Sequence, residues 1–161
     1  MKHQNATVGQ IIDDFLVSCE ARKIRTLEGC RQRLNWWREQ LGDRAAKSIG
    51  PSDIEAARLK LSASRLMAHG QKPKEGGRKA ATVNRYLAAL KAAFSLAVRN
   101  GKVDRNPVSM VRMQKENNCR VRWLSHEEEE RLFATMPTEY HPLVLLALYT
   151  GTRRMELLKL P

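Results

Sequence analysis

The stretch "YTGTRRMELLKL" places Thr150, Gly151, Arg153, Arg154 and Glu156 directly after an apolar run, "PLVLLALY". A guanidinium carries a fork of donors that can take two oxygens of one phosphate, and it stays protonated at any working pH. The chemistry on offer is therefore oxyanion binding, although taken alone Arg153 is a surface arginine near a helix start. A second group lies in "TVNRYLAALKAAFSLAVRNG". At about 100° per residue, Val83, Tyr86, Leu87, Leu90, Phe94, Ala97 and Val98 fill one arc of a helix. Asn84, Arg85, Ala88, Lys91, Ala92, Ser95 and Arg99 fill the arc beside it. Long basic or amide side chains separated by small ones let a phosphate backbone approach closely; the plain alternative is a solvated basic face. Cys19, Cys30 and Cys119 have no CxxC or Cys/His ligand spacing, so neither a zinc site nor a disulfide framework is indicated, and no metal or cofactor is expected.

The elements that must position these groups follow from apolar period and capping residues. Thr7 caps a first helix over about residues 8–22, with Val8, Ile11, Ile12, Phe15, Leu16 and Cys19 on one face. Thr26 caps a second, ending at Gly42, in which Leu27, Cys30, Leu34, Trp37 and Leu41 recur every three or four residues while Arg31, Arg33 and Arg38 stay on the surface. Trp36 and Trp37 cannot both face the core; Trp37 fits the apolar period and Trp36 packs against a neighbouring helix. A third helix starts at Ser52, with Glu55 closing a capping box, and ends near Ala68. "HGQKPKEGGRK" has the composition of a surface loop. Thr82 caps the fourth helix and Gly101 closes it, after which Asn106-Pro107 stops any helix. Ser125, with Glu128 in the capping-box position, opens a further helix whose acids sit at the positive end of its dipole, and Pro142 begins the next. There is no strand pattern, so the fold class is all-α.

A chain of 161 residues, 42% of them hydrophobic, can bury a core as one domain or two small units. Its 29 Lys and Arg against 17 Asp and Glu give a net charge of +12, which points to a polyanionic partner, nucleic acid foremost. Residues 125–161 hold six acidic and four basic side chains, so the whole positive excess lies ahead of them. That asymmetry predicts two functional units, the first being the electrostatic clamp. Between them, residues 99–122 carry seven basic and two acidic side chains, a basic connector. Residues 1–10 lack the apolar core of a signal peptide, and Pro142 to Tyr149 is too short to cross a bilayer. These features predict a soluble, cytoplasmic protein with no membrane partner.

Four stretches then line up in order: "TVGQIIDDFL", "TLEGCRQRLNWWREQLGDRAAKSIGPSDIEAARLKL", "TVNRYLAALKAAFSLAVRNGKVDRNPV", and "WLSHEEEERLFATM" followed by "LYTGTRRMELLKL". In this order they resemble the tyrosine recombinases, the family that includes the phage integrases, over nearly the whole chain. No single piece is specific; the sequence of TxNRYL helix, NPV exit, basic linker, capped acidic helix and TGxR is. The resemblance implies a four-helix, SAM-like core-binding domain over residues 5–106, a basic linker over 107–122 and the first helices of a catalytic domain over 123–161. It implies double-stranded DNA at a recombination core site as partner, with other integrase subunits joining on the DNA, and no cofactor.

By the same resemblance Arg153 corresponds to the first catalytic arginine, which stabilises charge on the scissile phosphate, and Glu156 to the acid that supports it. The core-binding domain would contact DNA through Arg31 on the second helix and Thr82, Asn84, Arg85 and Lys91 on the fourth, with Arg78 and Lys79 near phosphates at that helix's start. The family's lysine, HxxR pair and nucleophilic tyrosine have no counterpart in this sequence, since Tyr86, Tyr140 and Tyr149 are not in the downstream place. The residues present are therefore expected not to cleave DNA unaided, because nucleophile and oxyanion stabilisers act as a unit. Two other readings fit the same residues: a non-catalytic, DNA-binding regulator of a recombinase, and an unrelated helical nucleic-acid-binding module.

Overall fold

Thr7 accepts the amide of Gln10 while the Gln10 side chain takes the amide of Thr7, and this capping box starts α1, Val8–Ala21. The computed structural model describes residues 6–64, 77–116 and 122–160. Next come α2 (Leu27–Leu41), α3 (Pro51–Ala63) and α4 (Ala80–Arg99). These four helices, with short 3-10 turns at Ala46–Ser48 and Pro107–Met110, form the first of two units, Met1–Asn117. The second, Asn118–Pro161, holds α5 (His126–Thr135), α6 (His141–Thr150) and α7 (Arg154–Leu157). Among the described residues the one β feature is an isolated bridge between Thr7 and Ala45, so the fold is all-α.

The first unit is built on the faces that the apolar period marks. Ile11 and Ile12 of α1, Leu34 and Trp37 of α2, Ile54 and Leu61 of α3, and Leu90 and Phe94 of α4 are all essentially inaccessible. Burying each such side chain contributes about 1.5–3 kcal/mol before the entropy of ordering it is set against the gain. Trp37 Nε1 donates to the Tyr86 carbonyl of α4 at 2.9 Å, and Trp36 packs edge-on against Tyr86 with ring centroids 6.1 Å apart. On the outer side of the α1–α2 pair, Arg38 meets Asp13 and Arg31 meets Glu20. The early residue of one helix pairs with the late residue of the other in both cases, so α1 and α2 run antiparallel. Lys102, just past α4, holds Asp14.

Two helix starts differ from the sequence expectation. For α3, Gly50 is the cap, Pro51 takes the first helical position, and Asp53 rather than Glu55 accepts the amide of Gly50 at 2.8 Å. Proline's fixed φ and missing N–H suit that position, which moves the start ahead of the Ser52 expected. For α4 the helix begins at Ala80 with Lys79 in the cap position, and Thr82 lies inside the first turn, its amide donating to the Lys79 carbonyl. Alanine's high helix propensity at positions 80 and 81 extends the helix backwards past Thr82. Just ahead, Gly77 passes so close to the end of α3 that a Cβ there would lie 2.1 Å from the Ser62 carbonyl oxygen. The helix end expected near Ala68, most of the glycine-rich loop and Cys119 lie outside the described residues.

The connector also differs. The sequence reading ends the first domain at residue 106, whereas residues 107–116 pack on the first unit, with Val108 and Val111 buried. In the second unit Ser125 and Glu128 form the expected capping box. Phe133 of α5 meets the His141 ring of α6 edge-on at 5.1 Å, and Tyr149 Oη donates to Glu129 at 3.4 Å.

Candidate nucleic-acid interface

Helix α4 puts its apolar arc into the core and leaves a stripe of small residues and cations outside. Arg85, Ala88, Lys91 and Arg99 are exposed, with Ala81, Thr82 and Ala92 partly so. The side chains of Arg85 and Lys91 make no hydrogen bond or ion pair among the described residues, so their charge is uncompensated. Lys79, exposed at the amino end of the helix, adds a third cation where the dipole already favours anions. Thr82 lies beside it on the first turn.

Other sequence-selected residues are engaged inside the protein. Asn84 is 5% exposed. Its Nδ2 donates to the Gln114 carbonyl at 2.8 Å and to Glu116 Oε1 at 2.7 Å, and its Oδ1 accepts the Gln114 amide at 2.9 Å. An amide enclosed and bonded in this way is turned to the protein interior, whereas Asn84 was expected on the DNA-facing arc. Arg78 likewise spends its fork internally, Nε donating to Ser64 Oγ and Nη1 to Tyr86 Oη, both at 2.9 Å, with the guanidinium 5.1 Å from the Tyr86 ring centroid. It braces the α3–α4 junction. Arg31 is bound to Glu20, with Glu28 3.9 Å away, so a phosphate would have to compete for it.

The connector supplies cations that the sequence reading counted without placing. Asn106 Nδ2 donates to the Lys91 carbonyl and to Ser95 Oγ, both at 2.9 Å, and Gln114 is tied to Asn84, so residues 106–114 run back along α4 from its middle to its start. Arg58 of α3, paired with Glu55, also donates to the Arg112 carbonyl at 3.2 Å. Arg112 and Lys115 are left exposed, and their side chains have no partner among the described residues. The signal for this packing was present in the apolar residues Val108 and Val111, three apart, although Met110 and Met113 of the same run stay exposed.

In the second unit α6 ends at Thr150, and Gly151 follows with φ of +66°, a left-handed conformation that a side chain would strain. That turn sets Arg153 as the cap of α7, 86% of its side chain exposed. Glu156 receives the Arg153 amide at 3.1 Å and Nη1 of its guanidinium at 3.2 Å. The carboxylate steadies the arginine and leaves most of its donor fork open to an oxyanion. Arg154, the next residue, begins α7 and has no such support. Among the described residues no group of His, Cys, Asp and Glu could hold a metal ion, and no helix is long and apolar enough to cross a membrane.

The same helical fold is found in integrases of known structure. The integrase of transposon Tn1549, solved with a circular intermediate DNA, superposes with a TM-score of 0.65 at 19% identity over 92% of this chain and 46% of its own. A lambda integrase dimer bound to a COC′ core site gives 0.65 at 22% identity, over 94% and 41%. The integrase of mycobacterium phage Brujita gives 0.51 at 20% identity, over 94% and 47%. By sequence the chain is 29% identical to IntQ of Escherichia coli (strain K12), a protein whose name calls it defective, over 96% of this chain and 40% of that one. The chain thus spans less than half the length of each of these relatives. No family model matches it.

Proposed function

We propose that this chain is the DNA-binding amino-terminal part of a phage-type integrase, acting in site-specific recombination. Residues 6–117 serve as the core-binding domain and grip duplex DNA, mainly by its phosphates, through Lys79, Arg85 and Lys91. Residues 122–160 contribute the first helices of a catalytic domain, in which Arg153, steadied by Glu156, takes the non-bridging oxygens of a backbone phosphate. The work is cytoplasmic, on double-stranded DNA that other integrase subunits share. The observation that carries this reading is the sorting of cations. Arg31, Arg38 and Lys102 are neutralised by α1 carboxylates, whereas Arg85 and Lys91 on α4 are left uncompensated.

An electrophoretic mobility shift with the full chain tests it. Duplex DNA is expected to shift at low salt, with a core-site duplex retained at higher salt than random sequence. A shift of structured RNA with none of duplex DNA would move the chain to an unrelated helical nucleic-acid-binding class.

A further inference from the structure

Asn84 sits beside Arg85 on a helix proposed to face DNA, yet its side chain points into the first unit and meets the chain on its way out. Two of its three bonds reach the main chain of Gln114 from both sides, as a strand neighbour would, and the third takes the Glu116 carboxylate. The same segment is held upstream by Asn106 on α4 and by Arg58 at the Arg112 carbonyl. Arg112 and Lys115, two residues before and one after the clasped Gln114, are exposed. The clasp ties the chain after Val111 to α4, the helix that carries Arg85 and Lys91, whereas the Arg58 bond to the Arg112 carbonyl comes from α3. Without the clasp the two cations would be held less closely to Arg85 and Lys91.

We propose that Asn84 is a positioning residue: it fixes the path by which the chain leaves the first unit and thereby holds Arg112 and Lys115 on the same phosphate-binding surface as Arg85 and Lys91. This rests on the DNA-binding reading above. A buried amide that saturates both polar groups of one backbone residue is a costly device to spend on a solvated linker, since an unmade bond at such a site is penalised in full. It suits a linker whose cations must be in place before DNA arrives, because ordering them on binding would subtract from affinity.

The test uses the full chain, wild type and Asn84→Ala. Amide exchange read by NMR is expected to speed up at Gln114 at least tenfold in the variant, with the amides of α4 from Leu87 onward unchanged. Duplex affinity is expected to fall roughly tenfold, and the plot of log K against log salt to become shallower by about 2, the release expected for two phosphate contacts. In an Arg112→Ala, Lys115→Ala background, Asn84→Ala is expected to change affinity no further, as residues acting through one another should not add. Unchanged exchange at Gln114 overturns the clasp whatever the DNA result. Faster exchange with unchanged salt slope, or an additive loss in the double background, overturns the positioning role. A wild-type chain that ignores duplex DNA removes the reading beneath it, while the exchange data still decide whether the clasp exists. Should Asn84→Ala fail to fold, Gln114→Pro deletes the N–H that Asn84 Oδ1 receives without touching a helix. Backbone mobility is then read from 15N relaxation at Lys115, expected to rise, with unchanged relaxation overturning the clasp, and the affinity and salt-slope outcomes stand as for Asn84→Ala.

Discussion

Arg85 and Asn84 are adjacent in sequence and share one arc of the helical wheel, yet one faces solvent and the other is enclosed. The sequence places both on a polar arc; it does not reveal that residues 106–114 return to cover part of that arc. Arg85→Ala is expected to weaken duplex binding by roughly 1–3 kcal/mol while leaving the unfolding midpoint in denaturant unchanged, as fits a contact outside the core. Asp53 gives a prediction of a different kind. The Arg44 guanidinium, and after it the Gly50 amide, hold its carboxyl below the usual carboxylate range. A carboxyl with a folded pKa below its unfolded one stabilises the fold above the unfolded value and loses that contribution as pH falls through the folded value. Thermal unfolding should therefore show a drop in Tm on acidification below about pH 4, and Asp53→Asn should lower Tm at neutral pH and flatten that acid limb.

Helix identity was legible because apolar spacing and capping residues agree with one another in α1 and α5; Thr26 stands at the cap position of α2 without a side-chain bond, and α6 begins at His141-Pro142 with no side-chain cap. Thr7 with Gln10 and Ser125 with Glu128 form their boxes as the residue types demand. The starts of α3 and α4 were misplaced because Ser52 and Thr82 are good caps in isolation, while Pro51 and the Ala80-Ala81 pair favour an earlier turn. At the site, the Gly151 turn, exposed Arg153 and its Glu156 partner were readable from a local pattern. The fates of Asn84, Arg78 and Arg31 depend on partners 8 to 32 residues away, which no local pattern carries. Between elements, Trp37 is the pin of the α2–α4 contact, enclosed on every side and bonded to the Tyr86 carbonyl. Trp37→Ala should cost about 3–5 kcal/mol in urea unfolding, a value well above that of any exposed cation on the same helix.

Over the whole molecule, electrostatics and packing divide the labour. The first unit has the buried core and the uncompensated cations; none of the described residues of the second unit is buried, and it carries the acidic cap of α5 and the exposed Arg153. Folding stability should accordingly reside in the first unit, and changes such as Arg153→Ala should leave its unfolding transition where it is. The cation count sets a scale for DNA binding: Lys79, Arg85, Lys91, Arg112, Lys115 and Arg153 are six side chains with open donors. If they neutralise about six phosphates, log K should fall with log salt at a slope near −5. Fluorescence anisotropy of a labelled duplex, titrated with the chain over a series of salt concentrations, measures that slope. A slope near −5 that loses about 2 in Arg85→Ala, Lys91→Ala is the expected result; flat salt dependence, or a slope that the double substitution leaves unchanged, would contradict a phosphate grip centred on α4.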